Sequence, residues 1–140
     1  MYITKQGMID RYGEDEIKRI TDRNRTGDID DQVLNQALLD AQSEVDAYIS
    51  SRYATPLTTI TEAISRTTAD IARYRLYDER CPENIRQRYK EAVEFLQAVS
   101  AGRATLGNGP EGQKLAGAGH LQTGKRKGQR TFSLDNLRDY

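Results

Sequence analysis

The sequence has almost none of the residues that build the commonest chemical sites. It contains one cysteine, one histidine and no tryptophan in 140 residues. The single cysteine, Cys81, excludes an intramolecular disulfide and a multi-cysteine metal cluster, and it is compatible with a reducing cytosol. The only histidine, His120, has no neighbouring carboxylate in the sequence to orient it as a general base. We therefore expect neither an enzyme nor a cofactor-binding protein.

Long apolar runs are also missing. The longest uncharged run falls short of the roughly 20 residues that a bilayer-spanning helix needs, and the N-terminus lacks the apolar core of a secretory signal. The sequence thus predicts a soluble intracellular protein with no membrane partner. A chain of this length, with 36% apolar residues, suits one domain with one modest core.

Charge is balanced overall but unevenly distributed. Lysine plus arginine and aspartate plus glutamate both count 21. Residues 1–102 hold 14 basic and 18 acidic residues, whereas residues 103–140 hold 7 and 3. Most of the 11 glycines fall between 103 and 128, which is typical of a flexible segment. The pattern predicts a body over residues 1–102 and a flexible basic arm over residues 103–140.

Apolar residues in the body recur at spacings of three and four, which predicts helices. Two are short and three are long. The predicted helices run from a Thr4 cap to Gly13, from Glu14 to Thr21, from Asp30 or Asp31 to about Tyr53, from about Thr61 to Asp78, and from Pro82 to Gly102. We expect an all-α fold, a small bundle whose C-terminal arm forms a short strand or hairpin or becomes ordered only on assembly.

The stretch TDRNRTGDIDDQ, residues 21–32, has the opening order of an EF-hand calcium loop. The candidate ligands are Asp22, Asn24, Thr26, Asp30 and the backbone carbonyl of Asp28. Position twelve of such a loop supplies a bidentate carboxylate, and here it is Val33. The alternative is a polar turn in which the side chains at 22, 24 and 26 bond backbone N–H groups, Gly27 is left-handed, and an aspartate caps the next helix.

Eight tyrosines make up most of the aromatic residues. Tyrosine packs its ring in a core and sends its hydroxyl to a polar partner, so most of these residues are expected at the edge of the core. Some are hypothesised to contact a neighbouring subunit. The candidates for a subunit interface are Tyr53, Tyr74 and Tyr77.

The predicted arm contains the basic cluster KRKGQR at residues 125–130. Its candidate contacts to nucleic-acid phosphates or to an acidic protein surface are Lys125, Arg126, Lys127 and Arg130. The last segment, QRTFSLDNLRDY, regains apolar side chains that suit docking onto a partner. These docking candidates are Phe132, Leu134 and Leu137. A sequence-independent DNA-binding protein is therefore one functional hypothesis, beside the calcium-binding module.

Several phrases resemble a known family. They are the N-terminal MYIT, then YGEDEIKRITDRN, SEVDAYISSRYATPL and DIARYRLYD, and the ending TFSLDNLRDY. Together they are similar to the small Mu-type virion proteins of tailed phages and prophages, which are grouped with head-to-tail connector or head-completion proteins. Arg23, Asn24, Arg25 and Thr26 depart from the more acidic turn of many relatives, which weakens the metal hypothesis.

The resemblance implies a structural role. Copies would form a homo-oligomeric ring beneath the portal protein and join it to tail-completion proteins, with packaged DNA passing through the ring. The protein would occupy the host cytoplasm during assembly and then the virion neck. We thus expect a non-enzymatic head-tail connector or adaptor, with calcium binding or DNA binding as the alternatives.

Overall fold

A computed structural model describes residues 1–106, and these residues form an all-α fold without a β-strand. Five helices and one 3-10 turn follow in the order α1 (Lys5–Tyr12), α2 (Glu14–Thr21), α3 (Asp31–Ile49), α4 (Glu62–Tyr77), the turn Asp78–Arg80, and α5 (Glu83–Ser100). Two short and three long helices confirm the predicted fold class. Within this part of the chain, no helix combines the length and hydropathy that a membrane span requires.

The three long helices form the centre of the fold. Each of α3, α4 and α5 packs against the other two, while α1 contacts α2, and α2 contacts α3 and α4. Ser51 and Ser100 bond through their hydroxyls at 3.2 Å, so α3 and α5 end on the same side of the bundle. Side chains from all five helices fill the core. Its largest fully buried members are Met8, Ile17, Leu34, Leu38, Val45, Ile49, Ile64, Ile71, Leu96 and Val99.

The third helix ends four residues earlier than its apolar pattern predicts. Its last helical residue is Ile49, whereas the periodicity predicts continuation to about Tyr53. The backbone N–H groups of Arg52 and Tyr53 both donate to the carbonyl of Ile49 at 2.9 Å, which closes a turn. This turn carries the Tyr53 ring into the core, where 6% of the residue is exposed. Two serines after Ile49 favour such a turn because their side chains compete for backbone hydrogen bonds.

Two of the four residues before the first helix are part of the core. Tyr2 and Ile3 are 3% and 7% exposed. The Tyr2 hydroxyl accepts from the N–H of Leu57 at 2.7 Å, and the Tyr2 carbonyl accepts from the Ser65 hydroxyl at 3.0 Å. A side chain at Gly7 would place its Cβ 2.6 Å from Cδ1 of Ile3, so glycine lets Ile3 pack against α1. The N-terminus thereby ties α1 to the connection between α3 and α4.

The chain turns back onto the bundle after α5. After α5, Gly102 has a φ of +80°, and its N–H donates to the carbonyl of Val99 while the N–H of Arg103 donates to Ala98. These two bonds form a Schellman motif, which reverses the chain after a helix. The reversal returns Leu106 to the core, where it is 4% exposed.

We predict that a fragment ending at Leu106 is more stable than one ending at Gly102. The shorter fragment loses the burial of Leu106 and the hydrogen bond from Arg103, a loss of about 2 kcal/mol. Urea unfolding of the two fragments measures the difference directly. Equal unfolding midpoints would show that residues 103–106 add nothing to the body.

Candidate functional site

The loop between α2 and α3 is closed by the carboxylate of Asp22. One oxygen accepts from the N–H and the hydroxyl of Thr26 at 2.8 and 3.1 Å, and the other accepts from the N–H of Gly27 at 2.7 Å. The hydrogen bonds from Thr26 and Gly27 hold the pKa of Asp22 below its ordinary value, and the bond from Thr26 is the largest cause. Gly27 has a φ of +84°, as the polar-turn interpretation predicts. That interpretation is wrong for Thr26, whose hydroxyl bonds Asp22 instead of a backbone N–H.

Asp30 is the residue that caps α3. Its Oδ1 accepts from the N–H groups of Gln32 and Val33 at 3.0 and 3.2 Å. Its own N–H donates to Oγ1 of Thr21 at 3.2 Å, which connects the end of α2 to the start of α3. Asp31, the other candidate cap, instead forms an exposed ion pair with Lys5 at 2.6 Å.

The calcium hypothesis concerns this same loop. Both Asp22 oxygens already accept hydrogen bonds from the loop, and the Asp30 carboxylate accepts from α3, so calcium would compete with these donors. Across residues 1–106, no three or more His, Cys, Asp or Glu side chains are grouped closely enough to hold a metal ion. Calcium binding by Asp22, Asn24, Thr26, Asp28 and Asp30 remains an untested prediction.

Four tyrosine hydroxyls donate to carboxylates on other elements of the fold. The pairs are Tyr2 with Asp46, Tyr12 with Asp70 at 2.7 Å, Tyr77 with Glu16 at 2.6 Å, and Tyr89 with Glu44 at 2.8 Å. Burial and the bonded carboxylate raise the pKa of each hydroxyl, to about 12 for Tyr89. Each tyrosine therefore stays protonated and keeps donating at physiological pH.

Arg73 joins α4 to α2 through a two-point ion pair. Its Nε and Nη2 donate to the two oxygens of Glu16 at 2.8 and 3.0 Å. Both side chains are largely buried, with 14% and 16% of their surfaces exposed. The guanidinium also lies over the Tyr12 ring, 4.3 Å from its centroid, which is a cation–π contact. This cluster fixes the short helices on the bundle.

The three tyrosines predicted to contact another subunit occupy different environments. Tyr53 belongs to the chain's own core, and the Tyr77 hydroxyl is bonded to Glu16 and accepts from Arg19. Tyr74 stacks on Tyr89 with ring centroids 4.1 Å apart, and it lines an open groove of about 630 Å³ beside α3. A subunit contact at these tyrosines remains a prediction.

A second groove, between α4 and α5, was missed from the sequence. It has a volume of about 610 Å³, and arginines from both helices line it. Arg66 and Arg88 have no ion-pair partner within residues 1–106. Both arginines lie off the apolar stripe of their helices, and this polar position is visible in the sequence. Only the packing of α4 on α5 brings the two side chains to one groove.

The remaining candidate residues lie outside the described residues. They are the contact candidates Lys125, Arg126, Lys127 and Arg130 and the docking candidates Phe132, Leu134 and Leu137. The predicted strand at the end of the chain lies there as well. Cys81, by contrast, is described, and burial raises the pKa of its thiol.

Comparison with known protein families gives a match over most of the chain. The family described as Bacteriophage Mu, Gp36 matches residues 2–123. The chain belongs to this family. Its resemblance to Mu-type phage proteins is thus confirmed, and the Gp36 match includes every described residue except Met1.

Two relatives of the chain are also of Mu type. Over 107 residues, it is 31% identical to the "Mu-like prophage FluMu protein gp36" of Haemophilus influenzae, covering 76% of each chain. It is 29% identical over 121 residues to "Gene product J" of Escherichia phage Mu, covering 81% of this chain and 86% of the relative. This Gp36-family member is accordingly a phage or prophage protein of the structural or morphogenesis class.

We predict that Asp30→Ala destabilises the protein by about 1 kcal/mol, because it removes the N-cap acceptor of α3. The matched control is Asp31→Ala, which removes an exposed ion pair and should change stability by less than about 0.5 kcal/mol. Thermal unfolding of both variants measures the effect. The assignment of the cap is wrong if the two variants are equally stable.

We also predict a loss of stability at alkaline pH. The pKa of Tyr89 is raised in the folded chain from 10.0 to about 12, so its contribution is complete below pH 10 and is lost as pH rises through 12. Tyr89→Phe should cost about 1 kcal/mol at neutral pH, a low value because solvent screens this partly exposed pair. It should also flatten the decline above pH 10.

Tyr48→Phe is the control for this experiment, because Tyr48 is a half-buried tyrosine without a hydrogen-bonded carboxylate among residues 1–106. Urea unfolding from pH 7 to 12 compares the two variants with the unmodified chain. Parallel declines for all three would refute the role of the Tyr89 and Glu44 pair.

Proposed function

We propose that this protein is a non-enzymatic head-tail connector of a Mu-type phage or prophage. In this proposal its copies form a ring that joins the portal protein to tail-completion proteins. The protein acts in the host cytoplasm during assembly and afterwards in the virion neck. Membership of the Gp36 family over residues 2–123 is the observation that carries the proposal.

The internal contacts of the body support a structural role. A ring subunit must keep its shape while neighbours and DNA press on it, so its elements need fixed relative positions. Tyr2, Tyr12, Tyr77 and Tyr89 each bond a carboxylate on another element, and Arg73 adds a two-point ion pair. Such polar contacts specify one arrangement of the helices more narrowly than apolar packing alone does.

The raised pKa values of the bonded tyrosines and of Cys81 agree with structural roles for these groups. A general acid or base works best with a pKa near the operating pH. Here burial raises the pKa of the bonded tyrosines away from neutrality, and it also raises the pKa of the Cys81 thiol. These groups are therefore suited to holding protons in structural hydrogen bonds.

The excess of basic residues near the end of the chain supports docking through this segment. Residues 107–140 hold six basic and three acidic residues, including the cluster at 125–130. In the proposal Lys125, Arg126, Lys127 and Arg130 face acidic portal loops or packaged DNA, and the apolar side chains after them dock on a partner.

The test compares the full chain with a fragment of residues 1–106, because that fragment keeps the complete described core. Light scattering gives the mass of each, alone and with the portal protein encoded nearby. We expect the full chain to give a ring-sized mass or a stable portal complex, and the fragment to fold without docking. Circular dichroism checks that the fragment is helical.

Two outcomes would contradict the proposal at different points. If the full chain neither self-associates nor binds the portal protein, the connector function fails. If the fragment binds the portal protein as the full chain does, only docking through the C-terminal segment fails. A variant with Lys125, Arg126 and Lys127 all changed to glutamine separates the contribution of charge from that of the apolar segment.

A further inference from the structure

The third helix differs in charge from the other helices. It carries four acidic side chains and no lysine or arginine. Three of its carboxylates have cationic or tyrosine partners within the chain: Asp31 with Lys5, Glu44 with Arg75 and Tyr89, and Asp46 with Tyr2. The fourth, Asp40, is exposed and accepts only from the amide of Gln36 on the same helix, at 2.9 Å. Asp40 thus has no ion-pair partner within residues 1–106, although it lines the groove beside Tyr74 together with Arg23 and Arg75, which are paired with Asp78 and Glu44.

An exposed apolar side chain lies beside this unpaired charge. Leu39 is 49% exposed, and only Met1 and Ile60 are comparable large hydrophobic residues in the described part of the chain. A single exposed leucine is unremarkable by itself. Next to an unpaired carboxylate, however, it gives α3 a short surface feature with one apolar and one acidic group.

The groove between α4 and α5 has the complementary chemistry. Arg66 and Arg88 line it without ion-pair partners in the described residues, and the half-buried ring of Phe95 lies between the helices. Two carboxylates also line it: Asp70 accepts from the Tyr12 hydroxyl at 2.7 Å, and Glu91 accepts only from the neutral amide of Gln87 at 3.4 Å, so within residues 1–106 Glu91 keeps an unpaired negative charge beside the two arginines. Arginine and aromatic side chains are enriched at protein interfaces.

The two surfaces face in different directions. Because α3, α4 and α5 each pack against the other two, the outer face of α3 lies across the bundle from the α4–α5 groove. A contact that joins unlike faces of identical subunits is heterologous, and repeated contacts of this kind close into a ring or continue as a filament. A two-fold dimer through either face would instead bring like charges together.

We propose that α3 of one copy docks in the α4–α5 groove of the next copy. The Asp40 carboxylate lies between the guanidinium groups of Arg66 and Arg88, and Leu39 packs against Phe95. This inference rests on the proposed ring and names the surfaces through which its subunits meet. A second copy is the occupant that the charges favour, because α3 supplies a carboxylate for the two arginines, which outnumber the unpaired Glu91, and an apolar side chain for Phe95.

Charge reversal tests the contact in the full chain. The variants are Asp40→Arg, the pair Arg66→Glu with Arg88→Glu, and all three changes together. Each reversed face should weaken self-association by about tenfold or more, since like charges then meet, and the combination should recover most of the loss. Sedimentation velocity over a concentration series at low ionic strength, where screening is weak, measures the association.

Matched controls come from exposed residues of α5 that do not line the groove. Glu94→Arg makes the same charge change as Asp40→Arg, and Lys90→Glu reverses a cation on the same helix as Arg88. Both controls should assemble as the unmodified chain does. Circular dichroism and thermal unfolding confirm that each variant is folded, which is expected because the changed groups are exposed.

The outcomes separate this inference from the proposed function. If the unmodified chain assembles and the reversed variants assemble equally well, the α3 contact is refuted and the ring stands. If the reversals abolish portal binding but leave self-association intact, the groove takes the portal protein and this inference is again refuted. If the unmodified chain never assembles, alone or with the portal protein, the proposed function and this inference both fail.

Discussion

The ion pair between Arg73 and Glu16 is the contact on which the position of the two short helices on the bundle depends. It joins α2 to α4, and through Tyr12 and Tyr77 it also reaches the end of α1 and the end of α4. Removing two charges from water is costly, and a buried pair offsets that cost only when its remaining hydrogen-bonding groups are satisfied. Here both oxygens of Glu16 accept from Arg73, Glu16 also accepts from the Tyr77 hydroxyl, and the Tyr12 ring covers the guanidinium. The cluster therefore fixes the positions of these helices more than it adds stability.

The regular elements of the fold were predictable because their signals are local. Apolar spacing gave the five helices, and Thr4, Asp30 and Thr61 cap them as their residue types predict. What the sequence did not reveal depends on distant contacts. The end of α3 is set by the burial of Tyr53, and the turn of the chain after α5 by the burial of Leu106. Tyrosine and leucine also occur inside helices and loops, so residue type alone does not mark either position.

The candidate sites show the same limit. The spacing of Asp22, Asn24 and Thr26 suits calcium ligands and also suits a tight polar turn, because both need side-chain oxygens near a bend. The hydrogen bonds from Thr26 and Gly27 to Asp22 are visible only in the folded structure. The family resemblance was recognisable from short phrases. The position of Arg66 and Arg88 beside the same groove was not recognisable, because it depends on how α4 packs against α5.

The distribution of charge links the fold to assembly. Although 30% of the residues are charged, many of the charges in the body have a partner in the same chain, and such surface pairs add little attraction for other molecules. Charges without ion-pair partners are free to contact another molecule, and among residues 1–106 Asp40, Arg66 and Arg88 are three of them. Asp40 on one side of the bundle and Arg66 and Arg88 on the other are of opposite sign, and each lies beside an apolar side chain. Opposite charges on opposite sides favour head-to-tail contacts between copies over face-to-face ones, and head-to-tail contacts are the kind that a ring requires.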